Sequence, residues 1–517
     1  MRFILPLLAA VALATPARAE WHEVQSDHFV VYADDRWQDV KAFSEALERY
    51  HSALTVLLSR EADIPSPSNR VTIFVVGTES KVRKLVGDGA KDIAGFYIPR
   101  AGGSLAFVPS INLSSGETDF SLIVLLHEYA HHFLLSSTRY EMPRWLNEGA
   151  AEFFASAKFE KDGHLWVGRP AYHRAGELAY AKDVSVEELL DSDLYAKNHG
   201  KSFDAFYGRS WALFHYLYFS DTRKGQLTQY QQAIASGTNP QAAAKQAFGD
   251  LEVLQTELDR YLDKRRISAW NLGPDRLPIG EVTIRALREG EAAVMPLRIR
   301  SQRGVDHEQA LELLPEVRAV AGKYPGDAAV LAALAEAEYD AGNAAEAIAA
   351  ADRAIAIDPA TRNAYRQKGL ALFALAADAK DQDKAYAMAM QPFSVLNRLE
   401  PDHPFPLIYY YRSFVERGVS PNETARHALE RASQLAPFDK DLAMNTALMQ
   451  ASEGKIEIAR YTLAPIAADP HGGSFVSRAK RYREAMESVA EGTPWNPGRE
   501  IEVEDIVAVA SDPIDDD

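Results

Sequence analysis

The chain has 517 residues, a formal net charge of −17 and no cysteine. That length allows roughly two to four domains, and the acidic balance disfavours nucleic acid or an anionic membrane surface as partner. Without cysteine there are no disulfides and no thiolate metal ligands, so any bound metal must be held by His and carboxylates.

Residues 1–19 carry Arg2, an apolar run from Phe3 to Thr15 and the small-residue site Ala17-Arg18-Ala19. This is the pattern of a cleaved secretory signal, with a mature chain beginning near Glu20. A retained N-terminal anchor is the other reading. No later stretch approaches the ~20 apolar residues a membrane-spanning helix needs, so stable membrane insertion is not expected. Export, most simply to a periplasm, follows.

From Glu20 to about Gly116 strand and helix patterns mix. Residues 28–32 read as a strand, Trp37–Leu58 as an amphipathic helix, and Val71 to Val76 as a buried strand. Residues 95–98 and 104–108, joined through Gly102-Gly103, read as a hairpin.

The run Leu122-Ile123-Val124-Leu125-Leu126 leads into His127-Glu128-Tyr129-Ala130-His131 and on to Phe133-Leu134-Leu135. So apolar a stretch reads as a buried helix, on which residues four apart share a face. Both His127 and His131 then present a ring nitrogen to one Zn2+, and Glu128 stands beside them as a base for a water that the metal activates. Seventeen positions beyond His131, Trp145-Leu146-Asn147-Glu148-Gly149-Ala150-Ala151-Glu152 follows Pro143, a good first residue for a helix. Glu148 and Glu152 share a face of that helix, where two carboxylates are costly unless a cation satisfies them. Gly149, Ala150 and Ala151 would let it lie close against the first helix. Glu148 is assigned as third metal ligand, and Glu152 as acceptor for the far nitrogen of a ligating histidine. The bland alternative is a buried helix whose histidines hydrogen bond in the core.

On His127, Glu128, His131 and the block from Trp145 to Gly149, the chain resembles the gluzincin zinc metallopeptidases, most closely the peptidase-MA-like group, over about half its length. The resemblance implies zinc held by two histidines and the later glutamate, with Glu128 as general base. It also implies a small sheet whose edge strand holds the substrate backbone by strand addition. Residues 104–108 are proposed as that edge, with an ordinary core strand as the competing reading. The chain lacks the Gly-x-Met-Glu-Asn block of the aminopeptidase relatives, so an endopeptidase is favoured.

Further on, Lys161-Asp162-Gly163-His164 marks a tight turn between short strands, and His164 and His173 read as loop histidines rather than ligands. Residues 185–188 form a capping box. A helix opens at Phe206-Tyr207. By analogy with the tyrosine that many gluzincins place opposite the metal, Tyr207 is the candidate oxyanion donor, a packing role being the alternative. The catalytic domain is closed at Arg266, and the Gly- and Pro-rich residues 267–305 are read as a boundary segment.

Residues 306–490 hold a repeat. Prolines 325, 359, 401, 437 and 470 end helical stretches at intervals of 34, 42, 36 and 33 residues, and Gly342, Gly418 and Gly454 each follow a proline by 17. The spacing is that of paired antiparallel helices, similar to tetratricopeptide repeats, with an insertion near Ala376 to Lys384. Residues 491–517 are read as an acidic disordered tail: 500–517 hold eight acidic residues and no basic one.

The fold class expected is an α+β catalytic domain, a small mixed sheet plus zinc-binding helices, followed by an all-α tetratricopeptide-like solenoid. The expected function is an exported zinc peptidase acting on a peptide or protein, with a protein partner on the concave solenoid face. Its rival is a periplasmic scaffold or assembly factor with a catalytically silent zinc domain.

Overall fold

The structure, a computed structural model, describes residues 20–60, 64–87, 93–113, 118–138, 140–199, 203–469 and 473–498. The signal segment and the tail beyond 498 lie outside the described residues.

The strands are β1 (His22–Gln25), β2 (Phe29–Ala33), β3 (Val71–Val75), β4 (Phe96–Ile98), β5 (Leu105–Val108), β6 (Lys158–Phe159), β7 (Leu165–Val167), β8 (Trp270–Leu272) and β9 (Thr283–Ala286). Up to β8 the helices are α1 (Trp37–Leu58), α2 (Glu79–Val86), α3 (Phe120–Ser137), α4 (Arg144–Ala155), α5 (Ala175–Tyr180), α6 (Val186–Leu190), α7 (Ser192–His199), α8 (Phe206–Phe219), α9 (Gln226–Ala235), α10 (Pro240–Phe248) and α11 (Leu251–Leu262). The α1 helix, the β6–β7 hairpin and the Ser185 capping box fall where the sequence pattern puts them.

Six strands form one sheet in the order β4-β5-β3-β2-β1-β9, with β2, β3 and β5 parallel and the remaining pairs antiparallel. Side chains alternate between its faces. Val31, Ile73, Ala106 and Val108 join the core with α1 and α3, while Tyr32, Phe74, Leu105 and Phe107 pack under a later helix through Met295 and Ile299. Burial on both faces explains why these strands read as unbroken apolar runs. It also corrects one expectation: residues 104–108 are not the edge. All four residues of β5 are buried and paired on both sides, and the edge on this side of the sheet is the half-buried β4.

Residues 267–305 are not a linker between domains. Strand β8 extends the β6–β7 hairpin, and β9 pairs with β1, more than 250 positions earlier in the chain. The next helix, α12 (Glu289–Gln302), covers the second sheet face and begins the helical array.

The array continues with α13 (His307–Lys323), α14 (Ala328–Asp340), α15 (Ala344–Ile357), α16 (Arg362–Ala377), α17 (Gln382–Leu399), α18 (Pro404–Val415), α19 (Glu423–Leu435), α20 (Lys440–Ser452), α21 (Ile456–Ala467) and α22 (Gly473–Ala485). Successive helices pack as hairpins, and the first member of a pair also contacts the next pair's first member, as α12 does α14 and α14 does α16. Gly342, Gly418 and Gly454 have φ of 81°, 67° and 79° at the turns inside three pairs, the left-handed region where glycine carries no Cβ penalty. The extra residues of the long repeat lengthen α16 and α17, to 16 and 18 residues, instead of forming a loop. Residues 491–498 are not a loose tail. The Gly492 and Trp495 amides donate to the carbonyls of Gly454 and Ala451, both at 2.8 Å.

The array docks back onto the sheet domain. The Ser68 amide and hydroxyl donate to Glu400 Oε1 at 2.9 and 2.6 Å, and the Ala101 amide, at the β4–β5 turn, donates to Asp439 Oδ2 at 2.8 Å. Among the described residues no helix is long and apolar enough to cross a membrane.

Candidate metal centre

Asp119 caps α3 through the Ser121 amide, and Leu122, Leu125, Leu126, Tyr129, Ala130, Phe133 and Leu134 bury the helix on most of its circumference. The remaining face turns His127 and His131 towards α4. Pro143 stands at the N-cap of α4, one residue earlier than expected, and every residue from Trp145 to Ala155 is buried. Gly149 has a different use from the one read in the sequence. A Cβ there would lie 2.4 Å from the Ser210 carbonyl oxygen of α8, so the small residue admits α8, not α3.

Two Nε2 atoms, of His127 and His131, lie 2.9 Å apart, and each is 3.4 Å from Glu148 Oε2. Tetrahedral zinc with bonds of about 2.0–2.1 Å puts neighbouring donor atoms about 3.3 Å apart. His127, His131 and Glu148 are the one group of described residues whose donor atoms converge in this way. Both Glu148 oxygens are buried without a hydrogen-bond partner. An ionised carboxylate so placed is costly unless a cation meets it, so the residues fit a divalent metal at their focus.

The outward nitrogens of both imidazoles are engaged. His131 Nδ1 donates to Asn147 Oδ1 at 3.0 Å, and His127 Nδ1 lies 3.2 Å from Glu152 Oε1. With each Nδ1 so engaged, the neutral ring is the tautomer that turns its Nε2 lone pair to a metal. Glu152 in turn accepts from His173 Nε2 at 2.6 Å and from Arg174 Nη2 at 2.6 Å. Burial opposes its charge, but His127, His173 and Arg174 hold its carboxyl well below the usual range. Burial likewise opposes a charged His127. Close contact with the negatively charged Glu148 and Glu152 prevails, raising it to about 10. Glu148, buried and facing the two imidazoles, is held well below the usual carboxylate range.

Glu128 follows His127 and is half-buried, near enough to Tyr97 of the edge strand for its charge to act on that phenol. Tyr207, in the first turn of α8, has the Arg174 guanidinium 4.5 Å from its ring centroid and Arg144 at 6.0 Å. It therefore packs beside the helix of the two glutamates. His164 stays with Asp162 in the β6–β7 turn, as expected of a loop histidine. His173, read the same way, instead supports Glu152. Asn147, His173 and Arg174 were missed as supporting residues. Asn147 alone left a signal, standing directly before the assigned ligand.

The site therefore sits between two packed helices of an α+β domain that carries a helical-repeat array. Residues 123–240, which take in most of α3, all of α4 and Tyr207, match a family described as "Protein of unknown function (DUF1570)". No curated protein matches the chain. Among solved structures it is similar to a thermophilic TPR protein, TTC0263 of Thermus thermophilus, at 15% identity, over 43% of this chain and 99% of that one, with a TM-score of 0.31. It is also similar to MamA, residues 41 to the end, from Desulfovibrio magneticus RS-1, at 14% identity, over 39% of this chain and 100% of that one, with a TM-score of 0.27. At these scores the likeness adds nothing to what the helix pairs themselves display.

Proposed function

We propose that this chain is an exported zinc-dependent peptidase of gluzincin type, cutting within polypeptides. The observation that carries the reading is the triangle of His127, His131 and Glu148 donor atoms, with both glutamate oxygens otherwise unpartnered. These three side chains would hold the ion. When bound, zinc supplies a Lewis acid that polarises a carbonyl and acidifies a water.

The remaining chemistry belongs to the chain's own groups. Glu128 takes the proton of the attacking water and delivers it to the departing amide nitrogen. Asn147 and Glu152 orient the two imidazoles, and His173 and Arg174 keep Glu152 ionised. Tyr207 is the donor proposed for the developing oxyanion. The free side of β4 receives the substrate backbone by strand addition, Tyr97 lying on that strand.

The test is metal content and peptide-library cleavage by the full chain beside Glu128→Gln. The variant is expected to bind zinc as the parent does and to cleave at least about a hundredfold more slowly, the usual weight of a general base. Undiminished cleavage would refute the mechanism. Zinc binding without cleavage by either protein would return the chain to the scaffold reading.

A further inference from the structure

Helices α18, α19 and α20 of the array surround the β4–β5 turn of the sheet domain. Ala101 is buried among Leu429, Phe438, Leu442 and Met449, and a Cβ on Gly102 would meet the Phe405 ring at 2.8 Å. Beside this turn a groove of about 640 Å³ remains open, with Arg100 in one wall and Phe405, Ile408, Leu448 and Met449 among its apolar lining. Val415, also in the lining, is 51% exposed.

Asn496 lines the same groove. The bonds of Gly492 and Trp495 to the α20–α21 turn, with the Trp495 ring against Tyr482 at 5.6 Å, fix where the chain leaves the last described helix. Ile501 is five residues beyond Asn496, and Val503, Ile506, Val507 and Val509 follow it. Five extended residues span at most about 17 Å, so the start of this apolar run is tethered within that distance of Asn496 in the groove lining. A tether so short gives an effective concentration on the order of millimolar, enough for a weak apolar contact to be largely formed.

We propose that residues 499–517 occupy this groove: the composition of the segment, apolar between Ile501 and Val509 with interleaved acids, matches an aromatic and aliphatic lining that carries Arg100 and Arg412. Two of the groove's three acids are engaged: Asp439 caps α20 and accepts the Ala101 amide, and Glu416 pairs with Arg412 at 2.6 Å, leaving Asp441 as the third. The inner side of the array is then filled by the chain itself, by the hairpin turn from one direction and the C-terminal segment from the other. This proposal does not depend on the metal centre.

The experiment compares the full chain with one ending at Gly498, using a fluorescent peptide of residues 499–517. The shortened protein keeps every described residue, and its melting curve verifies the fold. It is expected to bind the peptide saturably, while the full chain, already occupied, binds at least about tenfold more weakly. Val415→Glu and Asn445→Glu in the shortened protein, and Ile506→Glu/Val507→Glu in the peptide, should each weaken binding about tenfold or more. Amide exchange in 405–415 and 440–452 should be slower in the full chain. Equal peptide binding by full and shortened chains, binding that neither groove variant disturbs, or identical exchange would overturn the proposal. Preference for unrelated peptides over 499–517 would do so too and would assign the groove to an outside polypeptide.

Discussion

His127 is surrounded by opposing pressures. Burial favours its neutral ring, yet Glu148 on one nitrogen and Glu152 on the other hold it protonated up to about pH 10 when no metal is present. A metal needs the neutral ring, so uptake at pH 7 should release about one proton, and affinity should fall as pH falls. Calorimetry in buffers of different ionisation heat checks this, since absence of a buffer-dependent enthalpy would contradict it. By the same linkage, the raised pKa adds stability to the metal-free protein that is full below the unfolded histidine value near 6.5 and is lost as pH rises through about 10. Asn147→Ala and Glu152→Gln should each weaken zinc binding about 10–100-fold, read by competition with a chromophoric chelator. The two histidines, Glu128 and Glu148 were legible because helical periodicity places i and i+4 together on an apolar helix. His173 and Arg174 were not, because their contact with Glu152 is made only when a loop more than twenty residues downstream folds over α4.

At the level of elements, the centre depends on three helices; all three were readable in the sequence, but the packing of the third on the second was not. The α3 and α4 helices carry the donor atoms, while α8 holds α4 in place through the close approach at Gly149. Gly149→Ala should therefore force α8 outward and cost about 1–3 kcal/mol, the usual penalty of overpacking, measurable by chemical denaturation. An unchanged midpoint would show that α8 yields without resistance. The hairpin of β4 and β5 was readable from its Gly102-Gly103 turn, but which arm pairs inward was not. Both arms are apolar, and the choice is made by β3, which takes the strand buried on both faces. The repeat, by contrast, was legible almost pair by pair. Each glycine seventeen positions after a proline proved to be a turn residue with positive φ. Only the long repeat lacks one, its turn being made by Asp378 to Asp381.

For the whole molecule, the boundary drawn at Arg266 from proline and glycine content does not separate anything. Punctuation marks where helices stop, not which distant strand a short β-run will join. A fragment of residues 20–266 lacks β8, β9 and α12, leaving β1 unpaired on its outer edge and baring Tyr32 and Phe74. It should be aggregation-prone, whereas a fragment carried to Arg303 should at least complete the sheet; sedimentation of the two at equal concentration distinguishes them. The pairing of β1 with β9 also sets a timetable. A ribosome adding about 5–20 residues per second takes roughly 13–50 seconds to travel from the first strand to its last partner. Throughout that interval the newborn N-terminal strand has a vacant flank, and the slow, long-range closure it awaits makes this chain a natural client for whatever escorts it until residue 286 arrives.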